Sequence, residues 1–118
     1  MKTLSAENFT RARHFVKAKA RPVDQALFDY TFEEGKPDAV WEALSAFANE
    51  DGGFGHGMEP DCRLHTSSML GTITAFPYLL QTNAPADHPL VEKGINYLIN
   101  TYDQNLKGWR MLPPEAND

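Results

Sequence analysis

The 118-residue chain has a single cysteine, Cys62, so it holds no internal disulfide, and without a CxxC pair it offers no paired-cysteine zinc site. It has no run of about 18 apolar residues, and Met1-Lys2-Thr3-Leu4 leads into no apolar segment, which argues against a membrane span or a secretory leader. Basic residues are the minority: 11 Lys and Arg face 16 Asp and Glu, a net charge of −5. The clustered basic footprint that nucleic acid needs is therefore missing. The one basic stretch, Arg11 to Arg21, would alternate with apolar positions on a helix and reads as a solvated face. These absences describe a reduced, cytoplasmic protein with no nucleic acid partner and no membrane-spanning segment.

Hydrophobic residues at 42% and charged residues at 23% suit a folded globular chain, and the length suits one domain over residues 1–118. The apolar spacing is helical. Behind Ser5 as N-cap, Phe9, Ala12, Phe15 and Val16 make one buried face. Between Pro22 and Gly35 the residues fit both a strand and a helix, and Pro at a first turn with Gly past the end favours the helix. Pro37 and Asp38 open the clearest helix, with Val40, Trp41, Leu44, Phe47 and Ala48 on one face and its stop at Asn49. Thr66, Ser67 or Ser68 then caps a helix with Met69, Leu70, Ile73, Phe76 and Leu80 inward, bent by Pro77. Asp87 or His88 caps the last, whose stripe is Val91, Gly94, Ile95, Leu98, Ile99 and Tyr102. Residues 113–118 read as a flexible tail.

Four glycines, Gly52, Gly53, Gly55 and Gly57, crowd the stretch between the third and fourth helices. They follow a helix instead of a strand and do not match G-x-G-x-x-G, so a dinucleotide cradle is excluded on context. Sliding the chain by 55 positions lays Val40 on Ile95, Leu44 on Ile99, Phe47 on Tyr102, Gly53 on Gly108 and Phe54 on Trp109. Each unit is a helix, a polar amide, a glycine turn and an aromatic, a repeat of two. In the first copy Asp51 can accept backbone N–H bonds, Gly52 and Gly53 can adopt positive φ, and Phe54 supplies a buried anchor.

Asn49-Glu50-Asp51-Gly52-Gly53-Phe54-Gly55 resembles the Q-x-x-D-G-G-F/W-G repeat of the terpenoid cyclase and protein prenyltransferase superfamily, and Gln104 to Trp109 resembles a degenerate second copy with Lys107 in a glycine's place. The resemblance implies an all-α fold of the α/α-toroid type, helical hairpins around an apolar cavity, in which the turn's amide and acid tie helix ends and its aromatic packs between repeats. Met58-Glu59-Pro60-Asp61 adds a likeness to bacterial prenyltransferase-like proteins, which implies carboxylates at the mouth of the toroid and a helix starting just after Asp61.

The residues that could do chemistry are His56, Glu59, Asp61, Cys62 and His65. Glu59 and Asp61 are the candidate catalytic pair, because two nearby carboxylates push their proton affinities apart and can serve as acid and base. The alternative is that they brace the turn or cap the next helix. Neither the D-x-D-D acid motif of the cyclases nor the Asp/Cys/His zinc set of the prenyltransferases is matched. The cofactor stays open: zinc on Asp61, Cys62 and His65, with Asp61 and His65 one helical turn apart, is the weaker reading beside Cys62 as a small buried hydrophobe. Trp41, Phe47, Phe54, Phe76 and Trp109 read as core before they read as a lining for a polyprenyl chain.

Two units cannot close a ring, so the expectation is a partial toroid that either self-associates or lacks the remainder of its chain. Two functions follow. One is a cyclase- or prenyltransferase-like domain acting on or binding an isoprenoid or other apolar small molecule. The other is a non-catalytic helical-repeat binding or scaffold module.

Overall fold

Two residues, Ala20 and Arg21, separate the first helix, α1 (Ala6–Lys19), from the second, α2 (Pro22–Phe32), and so short a link folds them back on each other as a hairpin. The computed structural model describes residues 1–117 and is all-α: α3 (Pro37–Ser45), α4 (Met69–Gln81) and α5 (Pro89–Asn100) complete the helices. No strand occurs among the described residues, only isolated antiparallel pairings of Ala48 with Phe54, Phe54 with Ser68, and Asp103 with Gly108. Among them, too, no helix is long and apolar enough to cross a membrane. Two compact units divide the chain, Met1–Ala43 and Leu44–Asp118.

In the first unit Ser5 is the N-cap of α1, its Oγ accepting the Asn8 N–H at 3.2 Å. Pro22 opens α2, so the segment from Pro22 is helix and not strand; the Glu33 and Gly35 N–H groups close it on the Asp29 carbonyl at 2.9 and 3.1 Å. The expected inward face of α1 is displaced. Phe9 does turn inward, its ring centroid 5.9 Å from that of Phe28 and 5.7 Å from that of Phe32. Ala12 and Phe15, however, face water, Phe15 with 67% of its surface exposed. Arg13 and Lys17 take their place: Arg13 pairs with Glu33, and Lys17 pairs with Asp29 and, at 3.5 Å, with Glu33. The basic stretch is thus only partly a solvated face. The physical reason is that Asp29 on α2 and Glu33 at its C-cap draw the cationic positions of α1 into the hairpin seam.

α3 stops at Ser45, before the expected Asn49. The Phe47 and Ala48 N–H groups donate to the carbonyls of Leu44 and Ser45, three residues back, at 3.0 and 3.1 Å, which tightens the last turn and releases the chain into the glycine stretch. Val40 and Leu44 on this helix are fully buried.

In the second unit α4 packs against α5. Ser68 caps α4 by accepting the Gly71 N–H at 2.9 Å, and the helix continues through Pro77. Its buried face is Gly71, Thr72, Ala75 and Leu79, whereas Ile73 and Leu80 of the expected stripe are exposed. Thr72 reads as polar but is satisfied inside: its hydroxyl donates to the Ser68 carbonyl at 2.7 Å and accepts the Phe54 N–H at 3.2 Å. His88 caps α5, Nδ1 accepting the Leu90 N–H at 3.2 Å. Gly94 and Tyr97 are buried on α5, and Ile95, Ile99 and Tyr102 are exposed. After α5 the chain returns to the start of α4, where the Leu70 N–H donates to the Met111 carbonyl at 3.0 Å. Pro114–Asn117 form a short 3-10 turn within the expected tail; its last residue, Asp118, lies outside the described residues.

Candidate functional site

The glycine stretch turns between α3 and α4 with every polar side chain at its centre engaged. The Asn49 N–H donates to the Gly53 carbonyl at 2.9 Å, and the Gly52 N–H to the Asn49 carbonyl at 3.0 Å. The Asp51 carboxylate accepts the Gly53 N–H at 3.0 Å, as its place in the turn suggests. Gly52 holds φ at 89° and lies against the Lys93 carbonyl of α5. Gly53, expected to be left-handed, is not; it is small because Tyr97 and Ser67 stand where a Cβ would go. Phe54 is 0% exposed, and its carbonyl accepts the Ser68 N–H at 3.1 Å.

A chain of side-chain hydrogen bonds runs out from this turn. The Ser67 hydroxyl donates to Asp51 at 2.7 Å, and the Asn49 amide donates to Ser67 Oγ and to the His65 carbonyl, both at 2.9 Å. With both amide protons used, Asn49 Oδ1 can only accept from His56 Nε2, 2.8 Å away. His56 Nε2 is therefore the donor of this bond. Its ring stacks on His65 with centroids 5.0 Å apart, and its backbone is left-handed with φ 54°. His56 is thus an exposed histidine on a left-handed backbone, oriented by a relay that ends on the Asp51 carboxylate. Asn49 and Asp51 were marked by the motif, but their convergence on Ser67 was not, because a relay across sixteen residues has no local sequence period.

Glu59 and Asp61 follow. Glu59 Oε2 accepts the Asp61 N–H at 3.0 Å, and the Glu59 carbonyl accepts the Cys62 N–H at 3.0 Å, so Glu59 braces this turn. Asp61 is exposed and lines a depression of 380 Å3 with Cys62, Arg63, Leu64, Leu112 and Ala116. The helix expected just after Asp61 begins only at Met69. Asp61 and His65 consequently share no helix face, and Ser68 caps α4 without either acid. Among the described residues no group of three or more His, Cys, Asp or Glu is placed to hold a metal ion.

The second glycine turn is built differently. The Asp103 N–H and Gly108 carbonyl pair at 2.8 Å, and the Gly108 N–H returns to the Asp103 carbonyl at 3.2 Å. Asp103 Oδ1 accepts the Leu106 N–H at 3.0 Å and the Asn105 N–H at 2.8 Å; these bonds, with Arg110 nearby, hold its carboxyl below the usual range. Trp109 is 39% exposed, donates Nε1–H to the Leu98 carbonyl at 2.7 Å and meets Tyr102 edge-on. The two aromatics of the motif thus sit in different surroundings, Phe54 beneath the first turn of α4 and Trp109 at the surface. No protein-family model, no curated protein and no solved structure matches the chain.

Proposed function

We propose that this chain is a helical-repeat domain of the terpenoid cyclase and prenyltransferase type that binds an apolar, isoprenoid-like small molecule, with Glu59 and Asp61 at the edge of its site. The observation that carries the reading is the depression beside the glycine turn. There Asp61 and Arg63 stand next to Leu64, Leu112 and Ala116, charge at the rim and hydrocarbon in the wall. That composition suits an amphiphile with a charged head and an apolar tail. A thermal-shift series with farnesyl diphosphate, geranylgeranyl diphosphate and farnesol tests it. The expected result is a concentration-dependent rise in Tm, diminished in a Glu59→Gln/Asp61→Asn double variant; no rise with any of the three removes the proposal.

A second reading is a non-catalytic binding or scaffold module that self-associates. It draws support from Ile95 and Ile99, exposed on α5, whose counterparts fifty-five positions earlier, Val40 and Leu44, are fully buried. Sedimentation of a strict monomer at high concentration would set this reading aside.

A further inference from the structure

Charge is divided unevenly along this chain. Residues 1–21 hold six of its 11 Lys and Arg but only one of its 16 Asp and Glu, whereas the remaining residues hold five against fifteen. Three of the six early cations are used close by: Arg13 and Lys17 in the hairpin seam, and Arg21 with Asp24. Arg11 and Lys19 are exposed and form no ion pair among the described residues. With Phe15 between them they recur every four residues, so all three share the outward side of α1, where Phe15 keeps 67% of its surface in water.

A matching face is open on α5. Glu92, Ile95 and Ile99 recur at spacings of three and four and so form one stripe, which Tyr102 continues just past the helix end. All four are exposed, Ile99 at 64%, while the buried positions Gly94 and Tyr97 lie on the other side of the helix. Glu92 also forms no ion pair among the described residues, and Lys93 falls outside the stripe. Each face lacks what the other carries: α1 offers two cations around a ring, and α5 offers apolar side chains behind a carboxylate.

We infer that α1 of one copy of this chain packs antiparallel across α5 of a second copy. Lys19 then meets Glu92, Phe15 lies between Ile95 and Ile99, and Arg11 reaches Tyr102 beyond the α5 C-terminus, where ring face and helix dipole both favour a cation. The spans agree: at about 1.5 Å per residue, Arg11 to Lys19 covers about 12 Å and Glu92 to Ile99 about 10 Å. The antiparallel sense also keeps Glu7 at the far end from Glu92. Because the two surfaces differ, the contact is head-to-tail. An anionic lipid surface would satisfy Arg11 and Lys19, but it would meet the acidic excess of the rest of the chain and leave Ile95 and Ile99 uncovered. The inference rests on the self-association reading above and assigns the occupant of its α5 face.

Sedimentation equilibrium of the whole chain, in low-salt and high-salt buffer, tests it. The parent is expected to associate more weakly in high salt. Arg11→Glu/Lys19→Glu and Glu92→Lys should each raise Kd at least about tenfold, and Phe15→Ser about tenfold. An equimolar mixture of the two charge variants should associate again, because mixing restores one native and one charge-reversed contact. All of these positions are exposed, so the variants keep the fold. A parent that is monomeric at every concentration removes this inference and the self-association reading together, and co-sedimentation of that monomer with phosphatidylserine vesicles would give α1 to a membrane instead. Association lost in Ile95→Ser/Ile99→Ser but unchanged in the α1 variants removes this inference alone and leaves the broader reading standing.

Discussion

Gly53 rests on the ring of Tyr97 so closely that a Cβ at residue 53 would lie 2.8 Å from both Cδ2 and Cε2 of that ring, and 2.6 Å from the Cβ of Ser67. The glycine turn is thereby locked to α5 on one side and to the approach to α4 on the other. Neither neighbour is the free end of a flexible side chain, so a methyl group must displace the turn.

Gly53→Ala is expected to lower unfolding free energy by about 1–3 kcal/mol through overpacking. Gly52→Ala should lose more, because its methyl would meet the Lys93 carbonyl and its φ of 89° adds left-handed strain of about 1–2 kcal/mol. Urea denaturation of the two variants checks the order; equal or negligible losses would mean that the turn does not seat on α5.

Lys107 holds the left-handed conformation with φ 52°, fifty-five positions after Gly52. Lys107→Gly relieves that strain and gives back part of the gain as chain entropy in the unfolded state, so a net stabilisation of up to about 1 kcal/mol is expected. A lower Tm for Lys107→Gly would contradict this.

Asn49 serves His56, Ser67 and the His65 carbonyl at once. Asn49→Ala strands three partners on two segments and should cost about 1–3 kcal/mol. His56→Ala removes one exposed end of the relay and should cost less. Comparing the midpoints of chemical unfolding tests the ranking, and a larger loss for His56→Ala would place the anchor elsewhere.

Burial, with Asp51 nearby, pushes the Tyr97 hydroxyl above its ordinary proton affinity. The sign follows from linkage: the unfolded tyrosine ionises near its usual pKa of about 10 while the folded one resists. Its contribution is therefore whole below that pH and is lost as pH rises through the folded value. Tyr97→Phe should flatten the alkaline fall in stability above about pH 10. Parallel curves for parent and variant in that window would count against it.

Helix positions were largely legible. Ser5 as a cap, Pro22 and Pro89 at first turns, and the glycine break after α3 each act within one helical turn, and the structure places helices accordingly. Helix faces were less so. Phe15, Ile73, Leu80, Ile95 and Ile99 fit the expected stripes and are exposed, while Thr72, Gly71 and Gly94 are buried. Periodicity ranks residues by apolarity, but Thr72 is inside because Ser68 and Phe54 satisfy its hydroxyl. Glycines go inside where backbone or ring must approach. At the candidate site Glu59 and Asp61 stood out as acids near a turn, whereas Tyr97, whose ring packs against Gly53, carried no signal beyond an aromatic on a helix.

From its residues alone the chain was bound to be helical and to turn at the glycine stretch, because caps, prolines and a left-handed glycine such as Gly52 are decided by neighbours a few positions away. Which face each helix buries, and how Asn49, Asp51, His56 and Ser67 meet at the glycine turn, only the tertiary structure decided. Those outcomes depend on groups brought together from distant positions, where hydrogen-bond partners and close backbone contacts outweigh the hydropathy of any single residue.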